Sequence, residues 1–179
     1  MARNTFSRSL HDVGLAAWFG GTLANAVALN SAAAEAGSAK STGAVANAGW
    51  NRWTPVNAAA IGAHLVGSVG QLQANRDRVA QQQGVAGMSV LKTALTAAAL
   101  GVTAYSRGLG KIVDSGGAVA AKSGTKPNRR TRGDVAAAQE QLDRLQWVIP
   151  AITGALVVVS SYAGEQQRPS EVLRGTTAP

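Results

Sequence analysis

The chain has 179 residues, a formal net charge of +8, 15% charged residues and no cysteine. A water-soluble domain of this size carries roughly a quarter charged residues, and here the charges crowd between stretches 13–34, 53–75 and 145–164, which hold none. Without cysteine there is no disulfide framework, thiolate metal site, thiol nucleophile or lipidated cysteine anchor.

The mean hydropathy of +0.03 is low for a membrane protein. Alanine and glycine account for this, because they fill the uncharged runs with small, weakly apolar side chains. Small residues let transmembrane helices approach closely. A soluble alanine-rich bundle would instead need a charged outer face on every helix, and those faces are missing. The sequence therefore predicts an all-α integral membrane bundle of about four transmembrane helices. Its basic connections then meet anionic lipid headgroups, and no nucleic-acid partner is expected.

The first expected span is 12–34, after a short polar lead with Arg3 and Arg8 and with Asp12 placed to favour a helix N-terminus. A cleaved secretory leader ending near Ala32 and Ala34 is the alternative; Gly20, Gly21 and Asn25 and the length of the run speak against it. His11, Gly14, Trp18, Gly21 and Asn25 share one helix face, and Gly20, Ala24 and Ala28 form a small-residue strip. Residues 31–52 read as an extended or partly helical connection.

The second expected span is 53–75, with Pro55 in its first turn and Trp50 and Trp53 at headgroup level. Asn57, His64, Ser68, Gln71 and Asn75 make a polar stripe that should face protein or water. The third, 86–106, contains Lys92, which either snorkels to the interface or marks a re-entrant segment. Lys92, Thr96, Ala99 and Thr103 share a face. Residues 107–134 are expected to be a mobile basic connection, with a helix from Asp134 leading into the fourth span.

That fourth span, Leu145 to Gly164, is about 20 residues without a charge, which as a helix covers about 30 Å, the hydrocarbon thickness of a bilayer. A polar tail, 165–179, follows. Four spans place both termini on one side, with Arg3, Arg8, Arg76, Arg78, Arg168 and Arg174. The opposite side is the more basic because of the cluster from Lys122 to Arg132. Positive-inside counting leans on that one cluster and leaves orientation unresolved.

For chemistry, the candidate cofactor ligands are His11 and His64. The expected spans put them roughly 13–16 Å apart along the helix axes, too far to share an ion. His64 is instead expected to hydrogen-bond Asn25, and no metal or other cofactor is predicted. The candidate polar interior comprises Asn25, Asn57, His64, Gln71 and Lys92. No Gly-x-Ser-x-Gly elbow or His-Glu-x-x-His pair occurs, and Tyr105 and Ile112 spoil the phosphate-loop likeness of Gly108–Lys111. An enzyme is not expected.

The segment His11-Asp12-Val13-Gly14-Leu15-Ala16-Ala17-Trp18-Phe19-Gly20-Gly21 resembles the opening of small helical membrane domains related to copper-resistance protein D. That resemblance implies roles for His11 and Trp18, but the only methionines are Met1 and Met88 and no cysteine accompanies them. The whole chain, including Gly164 to Pro169, resembles an uncharacterised family of small actinobacterial membrane proteins, which brings no activity with it. The expected role is a non-enzymatic, multi-pass plasma-membrane protein, acting as an accessory subunit or self-associating scaffold with a membrane-protein partner or a second copy. The alternative is a small transporter or metal- or haem-handling protein with a polar interior around His64.

Overall fold

The structure, a computed structural model, describes residues 4–115 and 120–177. The remaining residues, 1–3 in the polar lead, 116–119 in the expected mobile connection and 178–179 in the tail, lie outside the described residues. The described chain is helical, its one sheet-like feature being an isolated bridge between Ala121 and Pro127.

Helix α1, Thr5–Ala24, continues without a break through a π-helical segment, Asn25–Leu29, and short turns to Glu35. Its buried residues Trp18, Thr22, Ala26 and Asn30 recur every four positions. That spacing drifts around an α-helix of 3.6 residues per turn. The wider i→i+5 turn of the π segment absorbs the drift, so Ala26 and Asn30 stay on the packed face.

The chain then reverses at Gly37, whose φ of +80° suits glycine. Ser38 caps the next helix by accepting a hydrogen bond from Ser41 N. Helix α2 is Ala39–Ala74, so the expected connection 31–52 is largely helix and the helix carrying residues 53–75 begins well before Trp53. Pro55 lies mid-helix and not in a first turn. Residues 39–52 are rich in alanine, a strong helix former, which extends the helix beyond its apolar part.

Helix α3, Arg76–Gln81, and Gly84 turn the chain into α4, Val85–Ser115. Lys92 does not interrupt α4, and residues 107–115 are its last turns and not connection. Helix α5, Gly133–Glu165, carries the expected lead-in and the apolar run as one helix through Pro150. Part of the polar tail forms α6, Pro169–Thr177.

The helices form two antiparallel hairpins, α1 with α2 and α4 with α5, joined through α1 and α5. Helices α2 and α4 meet over only a short stretch, which leaves a cleft between them. At the centre one buried residue from each long helix packs together: Trp18, Ala60, Ala99 and Ile149. Thr5–Glu35, α4 and α5 are long and apolar enough to cross a membrane. Helix α2, about 54 Å long by its 36 residues, is not among these, since its polar stripe dilutes its hydropathy.

Beyond the central core, the end near residues 120–132 is closed by a second cluster, Leu109, Val113, Val135 and Ala138. A polar network centred on buried Asn30 lies beside it. Asn30 Nδ2 donates to Gln146 Oε1 at 2.7 Å, Trp50 Nε1 donates to Asn30 Oδ1 at 3.0 Å, and Gly124 N donates to the Asn30 carbonyl at 3.0 Å. Asp143 accepts from Thr125 and Gln146, at 2.6 and 2.9 Å. Asn30→Leu would leave the Trp50 and Gln146 groups unpaired, a loss of about 3 kcal/mol. Thermal unfolding in detergent should show it as a lower midpoint; an unchanged midpoint would mean the network is not what holds this end.

Candidate functional site

Glycine positions the site. A Cβ on Gly14 would lie 2.5 Å from the Ala60 carbonyl oxygen and from His64 N, and one on Gly67 would lie 2.6 Å from the Ser7 carbonyl oxygen and closer still to His11 N. Each glycine sits three residues after a histidine and against the other histidine's backbone. The result is a reciprocal His-x-x-Gly contact that lets α1 and α2 approach at backbone distance.

This contact brings the two imidazoles together, with ring centroids 4.6 Å apart and planes tilted by 46°. Both are shut from solvent, His11 at 1% and His64 at 0% exposure. The Trp18 ring stands edge-on to His64 with centroids 6.1 Å apart. The expected 13–16 Å separation is therefore wrong. The contacts Gly14–His64 and His11–Gly67 are both centred on residue 39, beside the turn at Gly37. Spans of 12–34 and 53–75 would centre on 43 to 44, sliding α2 along α1 by about 13 Å.

Each histidine has a polar partner on its outer side. His11 Nδ1 is 2.7 Å from Asp12 Oδ1, and the Asp12 side chain is 59% exposed. Asp12 thus serves His11 and not the helix N-terminus, which lies back at Thr5. An ionised carboxylate only accepts, so His11 donates from Nδ1 and keeps a lone pair on Nε2. His64 Nε2 lies 3.4 Å from Thr96 Oγ1 of α4. The hydrogen bond expected between His64 and Asn25 does not form; Asn25 sits at the π segment, roughly 17 Å along α1 from Gly14, which lies against His64. His11 Nε2, His64 Nδ1 and Trp18 Nε1 have no partner among the described residues.

Thr96 opens onto a cleft of about 560 Å³ between α2 and α4, lined also by Ser68, Gln71 and Lys92. Arg78 borders its far end. The guanidinium donates to the Gln166 carbonyl at 2.7 Å, to Gln82 Oε1 at 2.9 Å and to Asn75 Oδ1 at 3.1 Å, and burial pushes its pKa below the ordinary arginine value. Of the candidate polar interior, the structure places Gln71 and Lys92 on the cleft beside His64. Asn57 lines a separate cavity on the other side of His64, and Asn25 joins neither.

Among the described residues no group of three or more histidine, cysteine, aspartate or glutamate side chains could hold a metal. A haem held by both rings would need them on opposite sides of the iron. Two metal–nitrogen bonds of about 2 Å each, plus the two ring radii, exceed the 4.6 Å observed. Sequence reasoning missed Asp12, Thr96 and Gly67 as parts of the site. The repeated His-x-x-Gly spacing was the available signal for Gly67; Asp12 gave none, since adjacent residues on a helix do not share a face.

The fold and site define an all-α protein with three helices long and apolar enough to cross a membrane and a buried histidine pair beside a polar cleft. Comparison of the chain with protein-family models, curated proteins and solved structures finds no match.

Proposed function

We propose that the chain is a non-enzymatic, multi-pass plasma-membrane protein that carries protons, as a small proton-linked transporter. The observation that carries this reading is the buried His11–His64 pair with a partner at each end. The Asp12 carboxylate lies at the surface of the bundle, the two rings touch, and Thr96 leads to the cleft lined by Lys92, Gln71 and Ser68. Ionisable groups at membrane depth are costly and mark proton or substrate paths, and imidazole is the side chain whose ordinary pKa lies nearest neutral pH.

In this reading α2 is the fourth span. Its residues Val56 and Val66, which line neither the cleft nor the second cavity, are apolar and exposed, as lipid-facing positions are. The chain should then stay with the membrane pellet through an alkaline wash. Single cysteines placed at Ser38 and Thr176 should be labelled from opposite sides, and the absence of native cysteine makes that readout unambiguous. Labelling of both from one side would remove α2 as a span.

The function is tested in liposomes containing a pH-sensitive dye. Purified protein should dissipate an imposed pH gradient faster than protein-free liposomes; equal rates would end the proposal. A second reading, an accessory subunit or self-associating scaffold, is favoured by one observation. The strip of Gly20, Ala24 and Ala28 faces outward on α1, with nothing near Gly20, so a helix of another chain could pack there. Ala24→Cys should form a disulfide-linked dimer in membranes if that packing is between copies of this chain.

A further inference from the structure

The cleft between α2 and α4 carries positive charge that no described carboxylate answers. Lys92 and Arg78 line it, and none of its lining residues is an aspartate or glutamate. Arg8 adds a third cation at the same end, where its Nη2 donates to Oε1 of Gln167, itself a lining residue, at 3.1 Å. The carboxylates at this end are engaged elsewhere: Asp12 with His11, Asp77 with Arg76, Glu165 with Arg168 and Glu171 with Arg174. From α1, the fields of Asp12 and Arg8 both reach Lys92, and they are opposite in sign.

Lys92 is the group without a partner. The Arg78 guanidinium is held by three neutral acceptors, whereas Lys92 makes no hydrogen bond or ion pair among the described residues. Its ammonium nitrogen keeps open surface, unlike the sealed and unpaired His64 Nδ1 and Trp18 Nε1, so an occupant of the cleft can reach it. An ionisable side chain within an apolar helix pairs with something or marks a ligand path, and the chain itself supplies no pair.

The rest of the lining says what accompanies the anion. Leu65, Val69, Leu72, Met88 and Leu100 make much of the wall apolar. Leu100 lies eight residues past Lys92, roughly 12 Å along α4 toward the centre of the bundle, so the cleft has a charged end and an apolar length. Val69 and Leu72 on α2 and Thr93 and Ala97 on α4 line it and are also exposed, which opens it to the outer face between these helices. Its volume of about 560 Å³ is that of a small-molecule site, which favours one alkyl chain over the two of a phospholipid.

We propose that the cleft binds a single-chain lipophilic carboxylate, a fatty acid of medium length that enters between α2 and α4. Its carboxylate accepts a charge-assisted hydrogen bond from Lys92 Nζ, with Arg78 and Arg8 adding positive potential. Its chain lies along the apolar wall toward Leu65 and Leu100, where leaving water stabilises it. This concerns what the cleft holds and stands whether or not protons move through His64.

The test uses the full chain in nanodiscs of zwitterionic lipid and decanoate as the probe, by isothermal titration calorimetry against protein-free nanodiscs. Saturable binding above lipid partitioning is expected. Decanol, which has the chain without the charge, should bind at least about tenfold more weakly, and acetate, which has the charge without the chain, should give no measurable binding. Lys92→Gln should weaken decanoate by about the same tenfold and leave decanol unchanged, while Lys92→Arg keeps most of the affinity. No saturable heat would overturn the proposal, as would decanol binding as well as decanoate, or a Lys92→Gln variant that binds like the original chain. Loss of decanoate binding in nanodiscs containing phosphatidylglycerol, or in the presence of inorganic phosphate, would also overturn it and assign the cleft to a phosphate group, of a headgroup in the first case and of the free ion in the second. Should Lys92→Gln not fold, the decanol and acetate comparisons still decide.

Discussion

Gly67→Ala is expected to unfold or badly loosen the α1–α2 hairpin, with a stability loss of about 3 kcal/mol and a melting midpoint lowered by roughly 10 °C. The reason is that the added carbon meets backbone, not a side chain that could swing away: Ser7 O at 2.6 Å and His11 N closer still. Accommodating it requires the two helices to separate along their shared face, which also pulls the imidazoles apart. Gly14→Ala presses on the Ala60 carbonyl and His64 N in the same interface. The two substitutions should therefore be less than additive, because the second enters a gap the first has opened. Gly62→Ala is the control, since nothing lies within 4 Å of its Cβ position. If Gly67→Ala melts with Gly62→Ala, the close approach of α1 and α2 is not present in the protein.

His64→Leu should lower proton flux in liposomes by at least about a hundredfold, the lower end of what a positioned proton-transfer group contributes, while the bundle stays folded. Leucine fills a similar volume beside Trp18, and His64 makes one long side-chain hydrogen bond, 3.4 Å to Thr96, so little structural energy is lost. Asp12→Asn keeps a hydrogen-bonding side chain next to His11 Nδ1 but removes the carboxylate that takes up the proton; a smaller decrease, roughly tenfold, is expected. A purely structural role predicts the reverse pattern, in which His64→Leu lowers the melting midpoint and flux per folded molecule is unchanged. Measuring both on the same preparation separates the two.

The side-chain faces were legible from spacing. Of the face His11, Gly14, Trp18, Gly21 and Asn25, the first four pack on α2, where Gly21 meets the Trp53 ring, while at the π segment the buried position is Ala26 and not Asn25. The face of Thr96, Ala99 and Thr103 does point toward α2, through the His64 contact, the buried centre and the cavity. Of the polar stripe on α2, His64 is fully buried, Asn57 lines the cavity, and Ser68, Gln71 and Asn75 line the cleft. What could not be read was the depth at which these faces meet. Residues 31–52 carry no strong apolar period, so hydropathy gave no reason to carry α2 back to Ala39 or to put the turn at Gly37.

The amino-acid sequence by itself determined the all-α class, the apolar runs and the composition of each helix face. These are set by residues three and four positions apart within one helix, and no other part of the chain is needed to see them. The tertiary structure alone decided that His11 and His64 touch, that Asp12 and Thr96 flank them, and that Asn25 stays away. Contact between two helices depends on their register, and here a short glycine turn and backbone-close packing at Gly14 and Gly67 set that register.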